Sequence, residues 1–196
     1  MSAYIIGAVI ALVAAAVGAY LTFRFDLLRS RDEDESIFEA FKEELISNLE
    51  MLSANSVELE EEIADIGTER LAPLSPLYIP TWDILKTHVP KQLADKEAFR
   101  KLALTMHLML VINEHVRSRE AFKINGVSTN GYDATLTQRD DNILILNARL
   151  LKRILELREA LGLKIEFSSH RSKTLTAANK EFKTEHAKTK KEVKSA

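Results

Sequence analysis

Asparagine, histidine and glutamate are the residues of this chain whose type and spacing could do chemistry. Four asparagines, Asn48, Asn55, Asn113 and Asn147, fall on or beside the apolar stripes of three helical stretches. Asn48 and Asn55 are seven apart, so they share a helix face. Amides so placed have two readings. They line a polar pocket that binds a small molecule, or they form a buried amide network that fixes register at some cost in stability. The second is the best-attested role of a seam asparagine.

The histidines are His88, His107, His115, His170 and His186. His107 and His115 lie eight apart on one helix, too far to chelate one ion alone. No Glu-x-x-His occurs, so the di-iron bundle pattern is missing, and there is no His-Glu-x-x-His either. The chain has no cysteine, which excludes disulfides and thiolate sites and fits a reducing compartment. No metal and no cofactor is expected. Glu58, Glu60, Glu61 and Glu62 read as a solvated charge run, without the spacing of a calcium loop. There is no Gly-rich phosphate loop, no Gly-x-Ser-x-Gly and no basic stripe with interleaved aromatics. Ser168, Ser169 and His170 adjoin, but in a stretch with nothing to preorganise a triad. The expectation is a protein that is not an enzyme and binds no nucleic acid.

The elements that must position these residues are helices. From Ser36 to Ile66, Phe38, Phe41, Leu45, Leu49, Leu52, Leu59, Ile63 and Ile66 recur at steps of three and four, and Gly67 is placed to end that helix. Pro73, Pro76, Pro80 and Pro90 then forbid a long helix. Within that stretch a short helix starts at an N-cap, Thr81, and carries the only tryptophan, Trp82, as a plug for the end of the bundle. Asp95 caps a second long helix whose seam is Phe99, Leu102, Met106, Met109, Asn113 and Val116, widened by Leu104, Leu108 and Val111. Asn125-Gly126 and Asn130-Gly131 mark a loop from Ile124 to Thr137, and Thr137 to Asp140 resembles a capping box. The third long helix, with Ile143, Leu146, Leu150, Ile154, Leu157 and Leu161 as its seam, ends at Gly162.

Ahead of these lies Ser2 to Phe23, 22 residues without Asp, Glu, Lys or Arg. As a helix it is roughly 33 Å long, against about 30 Å of bilayer hydrocarbon. Arg24, Arg29 and Arg31 follow it and no cation precedes it, so the positive-inside rule puts the N-terminus outside and the rest in the cytoplasm. Gly7, Ala11, Ala15 and Ala19 are spaced by four, as are Ala14 and Gly18, a pattern that lets helices approach closely in lipid.

The expected organisation is therefore all-α. One N-terminal transmembrane helix (2–23) and a charged juxtamembrane linker (24–35) lead to a bundle of three long helices plus one short helix (36–163). A basic, largely disordered tail (164–196) follows, its Leu175, Phe182 and Val193 being too sparse for a core. Charge is unevenly spread: residues 32–65 carry a net −12 and residues 168–196 a net +5. The tail is thus suited to the acidic first helix or to anionic lipid.

The run Glu43 to Leu52, then Trp82 after a proline-rich break, then Asn113 late in the next helix, resembles uncharacterised prokaryotic proteins with one N-terminal membrane helix and a small helical domain. The resemblance covers roughly Met1 to Leu161. It implies the architecture just described and lends no activity. The layout is also similar to small cell-division membrane proteins with cytoplasmic coiled coils, although the prolines and Asn-Gly loops break a continuous coil. Function is expected to be that of a single-pass inner (plasma) membrane interaction or accessory protein, self-associating as a homo-oligomer or docking on a larger membrane complex. The alternatives are a small-molecule-sensing bundle and an anionic-lipid-binding module that works through the basic tail.

Overall fold

The computed structural model describes the backbone of residues 2–64, 73–87, 93, 95–126, 131–164 and 171–195, and the side chains of these except 2–19, 21–28, 86–87 and 188–195. Among the described residues the chain is all-α, with five helices: α1 (Ser2–Ala64), α2 (Pro80–Thr87), α3 (Lys96–Asn125), α4 (Tyr132–Ala160) and α5 (Lys173–Ser195).

Helix α1 runs through 63 residues, about 95 Å at 1.5 Å each. Neither Gly nor Pro occurs between Gly18 and Gly67, so nothing in the backbone interrupts it. The charged stretch 24–35 is helical too, with Arg29 reaching Glu33 one turn on at 3.0 Å. Among the described residues no helix is long and apolar enough to cross a membrane. The side chains of Gly7, Ala11, Ala14, Ala15, Gly18 and Ala19, and most others of the expected span, lie outside those described.

Helix order follows from which side chains meet. Asn48 touches Met109 and Glu62 meets Arg119, so α1 and α3 run the same way. Asn147 bonds Ser56, and Asp140 joins Glu62 through Arg119, so α4 runs against α1. Lys152 pairs with Glu181 and Glu159 with His186, so α5 runs with α4. The result is an up-up-down-down bundle with long connections after α1 and after α4. Its core includes Phe41, Leu45 and Leu52 of α1, Leu102, Met106 and Met109 of α3, and Leu150, Leu151 and Ile154 of α4.

Caps read from sequence fare unevenly. Asp95 accepts from the N–H groups of Glu97 and Ala98, and Gly162 ends α4 at φ +62°. The loop between α3 and α4 is shorter than expected: α3 reaches Asn125 and α4 starts at Tyr132, with Gly131 at φ +79° before it. The capping box at Thr137 to Asp140 is therefore overturned, because both residues lie inside α4 and Asp140 is committed to Arg119. Leu104 does not widen the buried stripe; it is exposed. The capping glycine Gly67 and the fourth proline, Pro90, lie outside the described residues.

The tail is the largest correction. Residues 173–195 form α5, and Leu175, Ala178 and Phe182 are buried in the core. These three sit at i, i+3 and i+7, one stripe on a helix, and a stripe that narrow is enough to dock it.

Candidate functional site

Residues 73–79 are neither helix nor strand, yet their backbone is paired almost as if in a sheet. Asn48 accepts from the N–H of Tyr78 at 2.7 Å and donates to its carbonyl at 2.6 Å. Asn55 does the same for Ser75, at 2.9 and 2.7 Å. Asn113 does it for Leu77, at 2.7 and 2.8 Å. An amide side chain carries one donor edge and one acceptor edge, the same pair a peptide unit presents.

The spacing explains how one segment meets two helices. Contacts with α1 fall on residues 75, 78 and 81, and contacts with α3 on 74 and 77. A repeat of three is that of a polyproline-II chain, which rises about 9.3 Å per three residues. The partners Asn55 and Asn48, and likewise Glu120 and Asn113, are seven apart, about 10.5 Å along a helix. The two rises nearly match, so the segment runs between α1 and α3, in register and antiparallel to both. The third face of the segment holds Pro73 and Pro76, both exposed, which have no N–H to satisfy. Leu74 and Leu77 point inward as core. The α1 and α3 seams therefore do not zip together as a coiled coil.

Other polar residues of α1 hold other elements. Glu44, buried, accepts from the N–H of Thr81 at 2.9 Å, so α1 supplies a cap to the start of α2. Burial pushes the Glu44 carboxyl above its ordinary value, against the hydrogen bonding from Thr81. Glu60 accepts from Ser172 Oγ and from the N–H groups of Lys173 and Thr174, at 2.7–2.9 Å, and so caps α5. Burial pushes its carboxyl up, but these bonds outweigh that and hold it below the ordinary value. Glu62 meets the fully buried Arg119, which also holds Glu120 and, at 2.6 Å, Asp140. Burial disfavours that guanidinium's charge, but its three carboxylates prevail and raise its pKa. The glutamate run is thus not simply a solvated face: Glu60 and Glu62 are structural, while Glu61 is exposed.

Asn147 is buried and donates to Ser56 Oγ at 2.9 Å; its Oδ1 has no partner among the described residues. Trp82 is half-buried against the core. His107 and His115 are exposed, His186 pairs with Glu159 at 3.0 Å, and His88 and His170 lie outside the described residues. Among the described residues no group of three or more His, Cys, Asp or Glu converges as a metal set.

Sequence reasoning missed Arg119, Asp140, Glu44, Glu60 and Glu62. One signal was available: Glu62 continues the seven-residue step of Asn48 and Asn55. No protein family, no curated protein and no solved structure matches this chain.

Proposed function

We propose that this chain is a membrane-anchored interaction or accessory protein, whose bundle stands in the cytoplasm and self-associates or docks on a larger membrane complex. One observation carries the reading. The apolar stretch Ser2–Phe23 and the bundle's first packing helix are the same helix, α1. An anchor there would hold the bundle in a set orientation rather than on a loose tether. The interior also favours a scaffold over a receptor. Of the four asparagines that the sensing alternative would use as its pocket, Asn48, Asn55 and Asn113 each bond both edges of the amide to the chain's own backbone, and Asn147 donates to Ser56. The lipid alternative draws support from the direction of α5, which runs with α4 and brings its lysine-rich end toward the anchored end of α1.

The test is extraction of the full-length chain from its native membrane. An alkaline carbonate wash is expected to leave it in the pellet. Mild detergent is then expected to release it as a homo-oligomer or with a stoichiometric partner. Release by carbonate would remove the anchor, and a lone monomer in detergent would remove the interaction.

A further inference from the structure

Two arginines lie where α3 faces α4, and their surroundings differ. Arg119 is enclosed by Glu62, Glu120 and Asp140. Arg139 has no carboxylate partner among the described residues. Its Nη1 donates to Ser118 Oγ at 2.7 Å, and its guanidinium lies over the Phe122 ring, 4.8 Å from the centroid. Phe122 in turn stacks on Tyr132, with centroids 5.4 Å apart and planes 16° apart. Arg139 Nε is shielded from solvent and has no acceptor among the described residues. This guanidinium borders a groove of about 380 Å³ between α3 and α4.

We infer that this groove receives a small ligand through an oxyanion, a carboxylate or phosphate group, with Arg139 as its cation. A buried donor without an acceptor destabilises the unliganded state, and an oxyanion on the Nε edge removes that cost. The stack on Phe122 and the bond to Ser118 fix the guanidinium in advance, so little freedom is lost on binding. The other walls supply polar groups: His115 on α3, and Thr135, Gln138 and Asn142 on α4. The acid at the groove, Glu114, pairs with Arg117 at 3.1 Å, which leaves the charge of Arg139 uncompensated. The volume suits a small metabolite rather than a bare ion. Gln138 and Asn142 stand exposed at the rim, where their amide N–H groups donate to the ligand's oxyanion. The inference does not depend on the anchor or on any partner.

The experiment follows the Arg139 Nε–Hε resonance of the ¹⁵N-labelled full-length chain in detergent during titration with inorganic phosphate or with acetate, with chloride at matched ionic strength as the reference. A saturable shift at Arg139 with phosphate or with acetate is expected, and the one that saturates at lower concentration names the group. R139Q, followed at the neighbouring backbone amides, is expected to abolish saturation. The rim double variant Q138A/N142A, which touches only exposed side chains, is expected to weaken binding roughly tenfold, the worth of a charge-assisted hydrogen bond. An Arg139 response no larger than chloride gives, an equal response from every arginine, or saturation that survives in R139Q would overturn the site.

Discussion

An asparagine side chain replaces a strand partner only where the backbone it meets cannot turn to water instead. That condition ranks the three clamps. The N–H and carbonyl of Leu77 are buried with Asn113, whereas the bonds to Ser75 and Tyr78 are part-buried. Removing an amide orphans two backbone groups, at about 1–3 kcal/mol for each that stays dry. N113A is therefore expected to destabilise the bundle by roughly 2–4 kcal/mol, and N55A by distinctly less, read as denaturant midpoints at constant m. Equal losses would mean that the clamps do not act through the segment. That these asparagines matter was legible in the sequence, because a polar residue on an apolar stripe is conspicuous. What they bind was not. Asn113 and Leu77 are 36 residues apart, and no local pattern announces a side chain that mimics backbone. Arg119 and Asp140 were invisible for the same reason: each reads as an ordinary surface residue until the other helix arrives.

Among the elements, α1, α3 and α4 could be read from their periodicity, since each has apolar residues at three- and four-residue steps over several turns. Helix α5 could not. Its composition is that of a solvated tail, and what docks it is a stripe of three side chains and a cap supplied by Glu60, more than a hundred residues earlier. That cap makes α5 sensitive to acid. Glu60 is held below the ordinary carboxylate value of 4.5 in the folded chain, so its contribution is present above that pH and is lost as pH falls through the folded pKa. Glu44 has the opposite sign. Burial raises it, so its contribution is full below pH 4.5 and declines as pH rises. Acidification is accordingly expected to loosen α5 while α2 stays docked. Methyl signals of Leu175 should shift as pH falls below about 4.5, with Trp82 emission unchanged. E60Q should abolish the pH dependence at Leu175. Loss of the Trp82 signal first would reverse the assignment.

At the scale of the whole molecule, the unbroken α1 turns a question of length into one of angle. Residue Phe41 is the first of α1 buried in the core, and the apolar stretch ends at Phe23. The intervening helix is about 25 Å long, with exposed residues from Arg29 to Glu33. Each residue added to such a rod lifts the bundle by about 1.5 Å and rotates it by about 100°. A flexible tether would ignore the rotation. Two alanines inserted after Glu35 should turn the bundle by about 200° and move it only about 3 Å. Four should turn it through one full turn plus about 40° while moving it about 6 Å. If Ser2–Phe23 anchors the chain and the bundle docks at a fixed angle to it, the two-residue insertion abolishes assembly in detergent and the four-residue insertion largely retains it, although it is the longer. Loss that instead grows with insertion length would make the distance to the membrane decisive. Indifference to both would show that the rod does not transmit orientation, and the accessory reading would then rest on the bundle surface alone.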